Sequence, residues 1–373
     1  IFVQKSPTEF ADGSYHHHFP STRFTLIARG ASRPQSLNAL LGDWWVDIFQ
    51  QIHAEEALPA DVAVWGNWRD PSSLRSVTTV RGEGARYREV AIPRITVRVR
   101  SRHEWTWLEE LRGRFAEGEV RGSIAWQLNL PDPVRRPMLL DFRCNIPWEQ
   151  VGELSGIEEL GEMRIGGRPE VAASGVLWRP PRENPDLPVV PELQIELNAD
   201  EEPFSVSGLN LRDVRFAGTV SEKRLDLPSV SGEFAEGVFT GSLQIADWTN
   251  RRAQSRHLRM QLFDASFTEA ALSLTALLED PEGLRQGIFR EKASGRVDAS
   301  VDLTLRPDLE QCKGTGRVIL RRAEMGRIHL FGGLSRILSG MGLGFSSLEL
   351  DSASLEWGLS TGILQIPDCQ VTG

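Results

Sequence analysis

The chain has 373 residues, with 42 Lys and Arg against 51 Asp and Glu, a formal charge of −9. At 40% hydrophobic and 25% charged residues, its composition is that of a folded, soluble protein, and no Lys/Arg run supplies the basic stripe of a nucleic-acid binder. No apolar run reaches the roughly 18 residues of a membrane-spanning helix, and Cys144, Cys312 and Cys369 are too few and too widely spaced for a disulfide framework or a zinc site.

Taken in chain order, the sequence begins at Ile1 without an initiator Met and stops at Gly373 after a strand-like run, which predicts a piece of a longer protein. His16-His17-His18 is the first local cluster. On an extended segment adjacent side chains alternate, so His16 and His18 alone can reach one ion, and a solvated strand accounts for the trio without a metal. His53, His103, His257 and His329 are isolated and read as structural. From Ser36, a candidate N-cap, apolar residues recur at three and four positions through Ile52, which predicts an amphipathic helix. Its Trp44, Trp45, Ile48 and Phe49 are the candidates for capping an exposed end of a sheet, or for contacting acyl chains. Asp43 and Asp47 occupy its polar face in place of Lys or Arg, which disfavours an anionic membrane surface for this helix.

Beyond residue 58 the dominant period is two. Arg94-Ile95-Thr96-Val97-Arg98-Val99-Arg100 alternates without a fault, as does the run from Val297 to Arg306; Ile124/Trp126/Leu128/Leu130, Leu193/Ile195/Leu197, Leu258/Met260/Leu262 and Val318/Leu320 follow the same pattern. These are strands with one apolar and one wet face, and the glycines and acidic links between them predict antiparallel turns. Short helical turns are expected at 148–154 and 268–278, and a further helical stripe at 330–341, read either as core packing or as a lipid gate. The run Pro180-Pro181 to Pro191 reads as a stiff connector.

A repeat runs through the pattern. Phe115-Ala116-Glu117-Gly118 returns as Phe234-Ala235-Glu236-Gly237, and Gly122-Ser123 as Gly241-Ser242, at an offset of 119. Residues 141–146 are matched with 261–266, and Ala173-Ser174-Gly175 with Ala293-Ser294-Gly295. The expected organisation is 1–58 as amino-terminal strands with the capping helix, then repeats at 59–168, 169–290 and an incomplete 291–373. A long meander cannot leave its apolar face in water, because each large side chain forfeits about 1.5–3 kcal/mol when exposed. Closing on itself would make a filled core; staying open would make a greasy trough lined by Val97, Val99, Ile124, Trp126, Leu128, Leu262, Val301, Leu303 and Leu305.

The last third carries a resemblance. Ala293-Ser294-Gly295-Arg296-Val297, Lys313-Gly314-Thr315-Gly316-Arg317-Val318, Gly326-Arg327-Ile328-His329-Leu330, Leu334-Ser335-Arg336-Ile337-Leu338, Phe345-Ser346-Ser347-Leu348 and Gly362-Ile363-Leu364-Gln365-Ile366 follow in an order that resembles the carboxy-terminal region of AsmA-like proteins. The resemblance is best over 205–373 and thematic over 1–204. It implies a member of the AsmA and TamB group, related to bridge-like lipid transfer proteins. From it follow the expectations of a taco-shaped sheet with an apolar lumen, a periplasmic setting, a membrane anchor outside this chain, and phospholipid or another acyl lipid as partner, moved between inner and outer membranes. Eleven Trp beside two Tyr depart from that pattern.

Catalytic spacing is absent: there is no G-x-S-x-G, H-E-x-x-H or P-loop, and Gly314-Thr315-Gly316 and Gly342-Leu343-Gly344 fail at the third glycine of a dinucleotide fingerprint. The sequence therefore predicts a mainly β, elongated, curved antiparallel repeat sheet with a taco-like groove and a few short helices. It is expected to bind acyl chains without catalysis, cofactor, metal or nucleic acid; the alternative is a structural spacer or envelope scaffold with a filled β core.

Overall fold

A computed structural model describes residues 2–4, 10–33, 52–54, 56–102, 104–127, 135–155, 165–181, 183–184, 187–199, 204–206, 209–247, 250, 252–275, 294–324 and 349–372. Trp44, Trp45, Ile48, Phe49 and Leu128, the helical stripe at 330–341 and the 326–348 part of the resemblance lie outside the described residues. The fold is mainly β and its strand pairings are antiparallel. Two compact units make up the chain: Ile1–Glu162 with Arg168–Ile195, and Met163–Gly167 with Glu196–Gly373.

The first unit runs β1 (Phe2–Gln4), β2 (Phe10–His18), β3 (Arg23–Ser32), β4 (Ile52–Ala54), β5 (Leu58–Asn67), β6 (Asp70–Tyr87), β7 (Val90–Arg102), β8 (Trp105–Arg114), β9 (Glu119–Gln127), β10 (Arg136–Cys144) and helix α1 (Trp148–Ser155). Strands adjacent in sequence pair, save that β3 pairs β5 while β4 takes the far end of β6. After α1 come β11 (Ile165–Gly166) and β12 (Glu170–Arg179), which pairs β10; β13 (Val190–Ala199) begins in the first unit and ends in the second.

The second unit continues with β14 (Phe204–Val206), β15 (Leu209–Val220), β16 (Arg224–Phe234), β17 (Gly237–Ala246), β18 (Ser255–Ser266), helix α2 (Phe267–Thr275), β19 (Arg296–Leu305), β20 (Lys313–Glu324), β21 (Glu349–Ser360) and β22 (Ile363–Thr372). β11 pairs β14, and from β14 onward each strand pairs the next. The sheet is open: β1 has β2 as its partner, β22 has β21, and neither strand closes a barrel. Pro367, which has no N–H to give, is tolerated in β22 because this strand pairs on one side.

The repeat is written in the backbone. β8 bulges between Leu108 and Leu111, and β16 bulges between Leu227 and Val230, 119 positions later. Past the bulges, Leu111 faces Gly122 and Val230 faces Gly241. A Cβ on Gly122 would lie 2.5 Å from the Phe142 ring, and one on Gly241 would lie 2.3 Å from Met260 Sδ. Both glycines therefore make room for a large apolar side chain reaching over from the next strand. This register sets Phe142 against Met260, so the match of 141–146 with 261–266 is corrected; the extra residue enters later, at Asp264 (φ 51), in the bulge between Leu262 and Ala265. Helices α1 and α2 then begin 119 positions apart, where helical turns are expected.

Each of these helices rests on a buried cluster. In the first unit Ala85, Val90, Ile92, Phe115 and Ile146 are buried, with Val151 and Leu154 of α1 against them. In the second, Ala265, Ala270 of α2 and Val297 are buried beside Phe234, Leu262, Val318 and Leu320.

Candidate functional site: an apolar face in each unit

Cross-strand partners share a face of a sheet, so the register assigns every side chain to one side. In the first unit one row runs Val62, Thr78, Val99, Leu108, Ile124, Leu140 across β5 to β10. Val97, opposite Val80, and Trp126, opposite Thr106 and Met138, lie on the same side. The structure thus brings Val97, Val99, Ile124 and Trp126 together. Thr106 is fully buried on this face and shares a 3.0 Å hydrogen bond with the Ser101 hydroxyl, so its polar atom is satisfied.

In the second unit Leu227, Leu243, Leu258, Leu303 and Leu359 form one row, interrupted at Gly314, and Met260, Val301, Gly316 and Trp357 form the next. Leu262 and Leu305 lie on the same side as Val301 and Leu303. Glycine again marks a close approach: a Cβ on Gly316 would be 2.4 Å from the Trp357 indole. Met260, Val301, Gly316, Trp357 and Pro367 also border a shallow open cleft of about 460 Å³.

Burial decides what these faces are. Trp126 is buried, at 7% exposure. Val97, Val99, Ile124, Leu262, Val301, Leu303 and Leu305 are half-buried. Facing sheets in a filled sandwich interdigitate at native packing density and bury such side chains almost entirely. Here neighbours in the same sheet shield each side chain laterally. Of the described helices, α1 packs against β7 and α2 against β15 and β18. Sequence alternation missed Leu108 and Leu111, which are spaced by three because the bulge residue Glu110 (φ 54) intervenes.

The opposite faces carry the charged residues. In the second unit Asp302 is held by His257 Nε2 at 2.8 Å and by Arg259 at 2.8 and 3.0 Å. The His257 hydrogen bond first, and Arg259 second, hold its carboxyl below the usual carboxylate range. Cys144 lies on the apolar side, facing Val120 and Val171. Burial pushes its thiol up to about 11, so it is a poor nucleophile at neutral pH. His16 and His18 point to one side of β2 and His17 to the other, where its ring lies 4.6 Å from that of Phe19. Among the described residues no group of three His, Cys, Asp or Glu side chains is placed to hold a metal ion, and no helix is long and apolar enough to cross a membrane. No protein-family model, curated protein or solved structure matches the chain.

Proposed function

We propose that this chain is a non-catalytic lipid-binding segment whose apolar faces shield the acyl chains of phospholipid or a similar lipid. One observation carries the reading: in each unit a row of mostly aliphatic side chains, Val62 to Leu140 in the first and Leu243 to Leu359 in the second, is half-buried, with a helix resting at one end of the face. Such a face gains about 0.8 kcal/mol for each methylene that leaves water against it. A hydrocarbon tail laid along the rows completes the burial that the sheet alone leaves unfinished, while the head group stays in water. The periplasmic setting, the anchor outside this chain and transfer between inner and outer membranes belong to the same proposal, and rest on the AsmA-like order of segments in 293–373. Buried clusters at the helix-covered ends favour, for those ends alone, the spacer reading with a filled core.

Organic extraction of the purified chain followed by mass spectrometry tests the reading. Co-purified phospholipid is expected, and Leu303→Glu is expected to reduce it several-fold. A lipid-free extract from a folded preparation would favour the spacer.

A further inference from the structure

The wet face of the first unit is built differently from that of the second. Across β6 to β10, arginine stands directly opposite arginine at Arg75/Arg102, Arg94/Arg114, Arg112/Arg121 and Arg121/Arg143. All seven are exposed. Neighbouring strands are about 4.8 Å apart, and like charges placed directly opposite are destabilising. Arg94 has Glu83 at 3.0 Å and Arg121 has Glu119, whereas Arg112, Arg114 and Arg143 have no ion-pair partner among the described residues. Elsewhere arginines are matched by carboxylates: Arg100 has Glu109 at 2.7 Å in the first unit, and in the second Arg259 faces Asp302, Arg317 faces Glu356, and of the opposed Arg296 and Arg321, the first has Glu236 at 3.5 Å and the second Asp298 at 2.7 Å.

The repeat supplies the comparison. Where the first copy has the row Arg112, Arg121, Arg143, the second has Ser231, Thr240, Gln261 in the same register. Neutral polar side chains satisfy this row of the sheet, so three clustered cations are not a requirement of the fold. The next row on the same face holds Ser123 opposite the exposed Asp141, and the row beyond it holds Trp107 and the exposed Leu139, both opposite Ala125. Trp105 stacks on Trp107 with centroids 6.2 Å apart, and the Arg100 guanidinium sits 4.9 Å from the Trp107 ring centroid. Arginine beside tryptophan and an exposed leucine matches a bilayer interface, where anionic head groups overlie the upper acyl chains.

We propose that the arginine face of β6 to β10 docks on an anionic phospholipid bilayer surface, with Arg112, Arg121 and Arg143 as its electrostatic centre. The choice of a lipid anion rests on the lipid-handling reading above; the cationic row does not. Docking by this face would leave the apolar rows of the same strands, on the opposite side, free to hold tails.

The test is co-sedimentation of the purified chain with vesicles of phosphatidylcholine alone and of phosphatidylcholine mixed equally with phosphatidylglycerol. The chain is expected to bind the mixed vesicles and to be released by added salt. Replacing the row by its counterpart from the second repeat, Arg112→Ser with Arg121→Thr and Arg143→Gln, is expected to weaken binding on the order of 100-fold. Arg259→Gln in the second unit should leave it unchanged. If the triple variant loses its circular dichroism signal, Arg143→Gln alone carries the test with a loss of roughly fivefold. Equal binding to both vesicle types, undiminished binding by the variants, or preference for a single-stranded oligonucleotide over vesicles would overturn the proposal. Lipid extraction reads the other face, so either result can fail without the other.

Discussion

At the scale of single residues, glycine has two distinct uses in these strands. Gly241 lies under Met260, and its missing Cβ would also fall 2.2 Å from the Arg259 carbonyl oxygen, a backbone atom that cannot swing away. Gly358 has open space, with its nearest atom, the Gly314 carbonyl oxygen, at 3.9 Å. Gly241→Ala is therefore expected to destabilise the fold by about 1–3 kcal/mol, as overpacking does. Gly358→Ala should stay within about 0.5 kcal/mol of the parent. Urea denaturation of both variants measures the contrast; equal effects would show that Met260 does not need the space. The sequence shows Gly122 and Gly241 as a repeated pair, yet not why they repeat, because the clash is with a neighbouring strand and register is not written in either strand alone.

Among elements, the cross-strand partner decides what an alternating run means. Val97 to Val99 on β7 and Val301 to Leu305 on β19 are legible as strands from period two alone, and the helices after β10 and β18 are legible as helical turns. The wet side is another matter. Arg112, Arg121 and Arg143 come from three strands and form no run, so a search for contiguous basic sequence passes over them; Arg259 and Asp302, 43 positions apart, are equally invisible as a pair. That pair carries a pH signature. Because the Asp302 carboxyl titrates below its usual range in the fold, its stabilisation is present above about pH 4 and is lost as pH falls through the lowered value. Both groups are exposed, so the contribution is at most about 1 kcal/mol. Asp302→Asn should lower stability at pH 7, and the gap to the parent should close under acid; a gap that persists at pH 2 would mean the residue acts through packing.

At the level of the whole molecule, each unit presents an apolar face whose central side chains are half-buried, backed by a face that carries its charged residues. The first unit's wet face carries the row Arg112, Arg121, Arg143, where the corresponding row of the second unit is the neutral Ser231, Thr240, Gln261. Openness was the feature the sequence left undecided, since strict alternation in β7 and β19 is the same in a trough and in a sealed core, and burial is a property of the assembled sheet. Photo-crosslinking from Val99 and Leu303, with Asp302 on the reverse face of β19 as the control, addresses this directly. Lipid adducts are predicted at Val99 and Leu303 and none at Asp302. Adducts solely to protein side chains at all three positions would contradict the account and describe a filled strut.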